Sequence, residues 1–331
     1  MNSRSPASPF GLLQDYPAAN TRSIPAMTEP LLQFVPCFDA ADGHRMAYWQ
    51  WGSPSSAHVV VCVHGLSRQG RDFDVLVRDL CLQAETVPGG IRVICPDVAG
   101  RGESDWLTDP AGYQILTYAA DMLALVTQLH AQAPVITLDW VGTSMGGLIG
   151  LVLCGQSSLP LPVPVRRLVL NDVGPALQWS AIARIGGYLG LGESFATLEE
   201  AAQALRAISL GFGPHSPAQW LALSRPMLKP ADDGSGALRL HYDPAIAVPF
   251  RQATEASTSQ GEAVLWQLYD QVTAKTLLLR GADSDLLSRD TALAMTHRGP
   301  QATLVELAGV GHAPTLVADD QRDVVIRFLL D

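Results

Sequence analysis

Val135-Ile136-Thr137-Leu138-Asp139-Trp140-Val141-Gly142-Thr143-Ser144-Met145-Gly146-Gly147-Leu148-Ile149-Gly150-Leu151-Val152-Leu153-Cys154 is the stretch on which the reading turns. It runs from an apolar, β-branched segment through Gly-x-Ser-x-Gly into a second apolar segment of helical length, which predicts strand, sharp turn and helix. In such a turn the serine backbone is strained. Glycines two residues before and two after it, Gly142 and Gly146, let strand and helix approach without Cβ clashes. The turn pushes the Ser144 hydroxyl outward and sets it at a helix N-terminus, where the Met145 N–H is free and the dipole favours negative charge.

Outward from this turn, further apolar runs alternate with helical patterns: His58 to Val63, Ile91 to Cys95, Arg167 to Leu170, Thr276 to Leu279 and Thr303 to Leu307. Strands this apolar are buried on both faces, so the expectation is an α/β fold with a mostly parallel sheet and helices on each side. Two earlier runs, Leu32 to Phe38 and Arg45 to Trp51, flank Asp42-Gly43 and predict an antiparallel hairpin. Residues 1 to 30 are rich in Ser, Pro and Asn without a period and read as a poorly ordered tail.

The connection from Asp172 to Lys275 is far longer than a crossover requires. Its expected content is a helical lid over 173–272, with the core formed by 31–172 and 273–331. Thr197 with Glu200, and Ser216 with Gln219, have capping-box spacing, and Pro217 suits a first helical turn.

A serine at its ordinary acidity needs a base. His312, in Gly309-Val310-Gly311-His312-Ala313-Pro314 after a late strand, fits a loop that presents an imidazole at the sheet's carboxyl edge. The base in turn needs an acid to fix its tautomer. Asp285 is preferred, because Leu286 and Leu287 can anchor its loop and Ser288 can cap the next helix. Asp283 is its rival. Asp172, at the end of the strand before the lid, is a third candidate, for which a turn or N-cap role is the favoured reading. A second oxyanion donor is expected from Val63-His64-Gly65-Leu66-Ser67, with the Leu66 N–H joining that of Met145. His64 reads as a loop-bonding histidine more than as a second base. His64 and Arg68 are also pocket candidates; Arg68 and Arg71 could touch a polar substrate, with solvated helix-start arginines as the favoured reading, and Trp179, Trp220, Phe250 and Trp266 are candidates for an apolar pocket. The Asp97 to Asp105 cluster, with Gly100-Arg101-Gly102, reads as architecture.

Composition narrows the alternatives. Asp plus Glu number 32 against 22 Lys plus Arg, a net charge of −10 without basic runs, which argues against nucleic acid. No apolar run reaches the roughly 18 residues of a membrane span. The five cysteines lack a CxxC spacing and sit mostly in apolar stretches. Neither HExxH nor a Walker loop occurs, so no metal or cofactor is expected. With no apolar leader segment near the N-terminus, a cytoplasmic location is the expectation. The expected partner is a small molecule, and a homodimer is compatible with these features.

With the Ser144 turn, the His64-Gly65 loop, the Asp97 to Ser104 cluster, Asp285 and His312 in this order, the sequence resembles the α/β-hydrolase superfamily over residues 32 to 331. It looks like the bacterial serine esterases that carry a helical cap between the sixth and seventh strands of an eight-stranded sheet. The resemblance implies a Ser-acid-His triad and an acyl-enzyme. Family dehalogenases and epoxide hydrolases carry an aspartate where this chain has Ser144. Meta-cleavage carbon-carbon hydrolases usually have asparagine where Thr143 stands and Gly-Pro-Gly where this chain has Leu66-Ser67-Arg68-Gln69. Ester hydrolysis is therefore the main expectation. Carbon-carbon or amide cleavage by the same residues is the alternative, and a non-catalytic ligand receptor is the alternative of another class.

Overall fold

The computed structural model describes residues 29–39, 43–192 and 194–331. Residues 1–28, most of the expected tail, lie outside the described residues, as does Asp42 of the hairpin turn. In chain order the strands are β1 (Leu31–Cys37), β2 (His44–Gly52), β3 (His58–Val63), β4 (Arg92–Pro96), β5 (Thr137–Thr143), β6 (Val165–Asn171), β7 (Ser194–Phe195), β8 (Leu228–Pro230), β9 (Leu238–Leu240), β10 (Lys275–Gly281) and β11 (Thr303–Leu307). The helices are α1 (Asp74–Gln83), α2 (Ile115–Gln132), α3 (Met145–Gly155), α4 (Trp179–Tyr188), α5 (Leu198–Ile208), α6 (Pro217–Ser224), α7 (Ala247–Gln252), α8 (Glu255–Gln271), α9 (Arg289–Met295) and α10 (Asp319–Leu330).

Eight strands form one sheet in the order β1-β2-β4-β3-β5-β6-β10-β11. β1 with β2 and β2 with β4 are antiparallel, and every later pair is parallel. The central strands β3, β4 and β5 are buried almost throughout, as the continuous apolar runs require. One face is covered by α1 and α10, whose Leu76, Leu80, Val325 and Leu329 join Val60, Cys62 and Val141. The opposite face is covered by α2, α3 and α8, with Met122, Leu125, Ile149 and Tyr269 packed on Val59, Val61, Leu138 and Trp140. Each of these fully buried side chains contributes roughly 1.5–3 kcal/mol relative to exposure.

The insertion between β6 and β10 carries α4 to α8 and also the three-stranded antiparallel sheet β7-β9-β8. The insertion is thus largely helical, as expected, with a small sheet that the sequence reading did not include. Strands of two or three residues, such as Leu238–Leu240, are too short to register an alternating period. The predicted caps form. Thr197 Oγ1 accepts from Glu200 N at 3.1 Å, and Ser216 with Gln219 completes a reciprocal box at the start of α6. The insertion is tied to the core at an isolated bridge between Arg101 and Tyr242.

The β5–α3 turn is closely packed. A Cβ on Gly146 would overlap the Val63 carbonyl, and one on Gly142 would overlap the Gly146 backbone. Both clashes are with main chain, which cannot rotate away. Gly146→Ala is therefore expected to cost about 1–3 kcal/mol by overpacking, read as a lower urea midpoint with unchanged m-value.

Candidate active site

Ser144 is the N-cap of α3 and has φ +51° and ψ −115°, a left-handed backbone that costs a non-glycine residue on the order of 1–3 kcal/mol. Its conformation is held from both sides. Its N–H donates to Asn171 O at 3.0 Å, and its carbonyl accepts from Gly147 N at 2.9 Å. No side-chain capping bond ties the hydroxyl down. Instead Ser144 Oγ lies 3.0 Å from His312 Nε2.

His312 Nδ1 lies 2.7 Å from Asp172 Oδ2. The expectation that Asp285 orients this ring is corrected. Asp285 pairs with Arg184 at 2.7 Å, and both side chains are nearly half exposed (47% and 44%). Asp283 is exposed as well. Asp172 is wholly buried at the end of β6, with φ +54° aiming it across the sheet edge. Its Oδ1 accepts from Gly281 N at 2.8 Å, and its Oδ2 accepts from Ser284 Oγ at 2.7 Å as well as from the imidazole. With the carboxylate as acceptor, the hydrogen on His312 sits at Nδ1. The Nε2 lone pair then faces the serine hydroxyl.

Asn171 was not singled out from sequence. Its Nδ2 donates to Thr143 Oγ1 at 2.9 Å and to Pro314 O at 2.8 Å, which joins the turn before Ser144 to the loop after His312. Gly211 of the insertion braces that same loop, with Gly311 N donating to Gly211 O at 2.7 Å.

Gly65 lies against Ser144: a Cβ on it would be 3.8 Å from Ser144 Cβ. His64 is fully buried beneath this loop. Its Nδ1 donates to Gly65 O at 2.7 Å and its Nε2 accepts from Val98 N at 2.9 Å, so both ring nitrogens are used. Burial pushes its pKa down to about 3, helped by the Arg101 and Arg68 charges and opposed by the bond to Gly65. Arg101, also fully buried, bonds Leu66 O at 2.8 Å through Nε and contacts Met145 Sδ at 3.7 Å. It thus bridges the two residues expected to supply the oxyanion N–H groups. Asp97 accepts from Gly70 N, Trp49 Nε1 and Glu103 N and fixes its own loop.

Two cavities meet at Ser144 and share Leu66 and Ile185 in their walls. One is lined by Arg68, Arg184, Tyr188, Phe212 and His312, and the other by Met145, Leu148, Ile182, Phe250 and Leu265. Of the residues expected at a pocket, His64, Arg68 and Phe250 line these cavities, whereas the three tryptophans line neither. Trp220 is buried inside the insertion, stacked on Phe212 at 6.0 Å. Trp266 packs edge-on to Tyr269 under the Arg298 guanidinium, and Trp179 starts α4 away from both.

Among the described residues, Cys37, His44 and Asp121 bring metal-ligand types of atom within 4.8 Å of one another. His44 is hydrogen-bonded to Asp39 and Asp121, which joins β2 to α2 away from Ser144. Among the described residues no helix is long and apolar enough to cross a membrane.

This geometry of sheet, strained serine turn and histidine loop has clear counterparts. The profile of the alpha/beta hydrolase family matches residues 60–328, and the chain belongs to that family. It is a hydrolase. A 3-hydroxybutyrate-oligomer hydrolase of Cupriavidus necator is 48% identical over 300 residues, which cover 90% of this chain and 97% of that one. A 2-(acetamidomethylene)succinate hydrolase of Mesorhizobium japonicum is 26% identical over 260 residues, 78% of this chain and 82% of that one. Among solved structures, an alpha/beta hydrolase from Novosphingobium aromaticivorans superposes with a TM-score of 0.75 at 34% identity, covering 92% of this chain and 99% of that one.

Because His64 is held neutral in the fold but binds a proton readily when unfolded, the unfolded state takes up more protons as acid is added. Its contribution to stability is complete above about pH 6.5 and falls as the pH drops toward 3. Urea midpoints measured between pH 7 and pH 4.5 should decline with acid in the wild type, and with a shallower slope in His64→Asn.

Proposed function

We propose that this chain is a serine hydrolase that opens carboxylic esters through an acyl-enzyme, with esters of short hydroxy acids as its substrate class. The observation that carries the reading is the unbroken hydrogen-bonded line Ser144 Oγ, His312 Nε2, His312 Nδ1, Asp172 Oδ2, with separations of 3.0 and 2.7 Å, at the seam of two cavities.

In the first half-reaction the Ser144 oxygen bonds to the ester carbonyl carbon while its proton passes to His312 Nε2. The carbonyl oxygen becomes an oxyanion between the Leu66 and Met145 N–H groups. Met145 is the first residue of α3, so its N–H has no intrahelical acceptor to compete. Collapse of the tetrahedral intermediate breaks the bond to the alcohol oxygen, which takes the proton from Nε2. Water then repeats the sequence on the acyl-serine, its proton going first to Nε2 and then back to the serine oxygen. Asp172 holds the imidazole in the productive tautomer and offsets the positive charge that forms on it.

Of the bonds such a site can open, the ester is favoured because the relative at 48% identity bears an ester-hydrolase name. A 3-hydroxybutyrate oligomer, the substrate in that name, has a hydroxybutyrate unit on each side of every ester, in keeping with cavities on both sides of Ser144. A cytoplasmic location belongs to this reading and is supported by five cysteines with no disulfide among them.

Ser144→Ala should lower kcat on short acyl esters by at least about 10⁴-fold, and Asp172→Asn by about 10³- to 10⁴-fold, whereas Asp285→Asn should change it by less than about threefold. Steady-state assays on the three purified variants check this. Full turnover by Ser144→Ala would remove the serine mechanism, and a larger loss for Asp285→Asn than for Asp172→Asn would return the acid to the later loop.

A further inference from the structure

The two cavities differ in charge. The walls on the Met145 side carry no ionisable acid or base other than tyrosine, whereas the walls on the His312 side carry Arg68, Arg184 and Asp72. We infer that the His312-side cavity is a subsite for the free carboxylate of a hydroxy-acid leaving group, with Arg68 as its principal ligand and Arg184 as a second cation near its edge. The inference rests on the ester-hydrolase reading and adds a direction to it: the acyl half lies on the Met145 side and the carboxyl-terminal half beside the arginines.

Two independent features fix that direction. Protonation of the departing alkoxide requires the leaving group to lie next to His312, which lines only the arginine-bearing cavity. In a linear oligomer of hydroxy acids the free carboxylate always belongs to the alcohol half of the ester that breaks. Chemistry therefore delivers an anion to the one side of the serine that carries guanidinium groups.

Arg68 is built for this. Its Cγ and Ser144 Cβ lie 3.9 and 3.8 Å from the point where a Cβ would sit on Gly65, so the arginine stem flanks the nucleophile. Asp72 takes two of its N–H groups, at 2.6 and 2.7 Å, and Leu223 O takes a third at 3.0 Å. Those contacts fix the guanidinium plane and leave the two N–H groups of Nη1 without a partner among the described residues. Only 12% of this side chain is exposed, so a carboxylate bound there would be met in a partly desolvated setting, where charge-assisted bonds are strong. Arg184, on α4, is half-exposed, and its Asp285 partner lines neither cavity. On a chain with a net charge of −10, an anionic substrate needs such a local cationic site.

The test compares the linear dimer of 3-hydroxybutyrate as its free acid with the same dimer as its methyl ester, following cleavage of the internal ester by chromatography. The wild type should show a kcat/KM about 10- to 100-fold higher for the free acid, carried mainly by KM. In Arg68→Gln that ratio should fall to near 1, and Arg68→Lys should recover part of it. Arg184→Gln should lower the ratio by a smaller factor. Equal kcat/KM for the two compounds in the wild type, a measurement that depends on no variant folding, would overturn the subsite. So would a preference that survives in both Arg68→Gln and Arg184→Gln. Hydrolysis of neither dimer nor any simple ester would instead remove the ester-hydrolase reading itself, which separates the two failures.

Discussion

The carboxylate of Asp172 ties together the carboxyl ends of three consecutive parts of the sheet. It follows β6, accepts the N–H of Gly281 at the end of β10 and the Ser284 hydroxyl beyond it, and receives the imidazole from the loop after β11. A buried carboxylate is tolerable only when donors surround it, and these three supply what water would otherwise give. The arrangement also sets the distance between β6 and the histidine loop. Asn171, the residue before it, fixes the same two pieces from the other direction through Thr143, the Ser144 N–H and Pro314 O. Position and orientation of the Ser144 turn and of the His312 ring are therefore set by one dipeptide, Asn171-Asp172.

A second buried charge performs the matching task on the other side of the serine. Arg101 has essentially no exposed surface, yet it makes hydrogen bonds to Leu66 O, Ala99 O and Tyr118 Oη and stands over the Tyr118 ring at 5.0 Å. A guanidinium with this many acceptors is fixed in place, so the Leu66 segment is held relative to α3 before any substrate arrives. In the proposed reaction, donors held in this way would need no rearrangement as charge develops. The Gly-Arg-Gly cluster is thus both architecture, through Asp97 and the bridge to Tyr242, and a support of the site.

The parts of this design that follow one-dimensional patterns were legible in the sequence. The apolar runs that became β3 to β6 and β10 record burial on two faces, whereas Thr303–Leu307, expected to be equally buried, forms the edge strand β11 and is mostly exposed or half-buried; the glycines about Ser144 record a main-chain collision that no other residue avoids. The carboxylate partner of His312 was not legible in this way. Asp172, Asp283 and Asp285 all follow a strand at the sheet's carboxyl edge, and a sequence does not show which one turns inward. That choice is made by the left-handed backbone at Asp172 and by a hydrogen-bond set contributed from residues more than a hundred positions away. The same limit applies to the tryptophans. A large apolar side chain in an insertion can fill the insertion's own interior, as Trp220 does against Phe212 and His215, as readily as it can line a pocket.

Placing the acid on β6 has a consequence for the loop after β10. Since His312 does not draw on Asp285, that side chain is free to meet Arg184 across the boundary between core and insertion. Both partners are nearly half exposed, and an ion pair of this kind contributes no more than about 0–1 kcal/mol. The pair therefore closes α4 against the core without locking it. The deeper restraints on the insertion lie elsewhere, in the Gly211 contact with the His312 loop and in the Tyr113 bond to Asp243 at 2.5 Å. Loosening α4 at Arg184 would widen the arginine-bearing cavity while these stronger ties keep the imidazole in register with the serine. The width of the cavity and the Ser144–His312 geometry are in this way held by different contacts, which lets one vary while the other stays fixed.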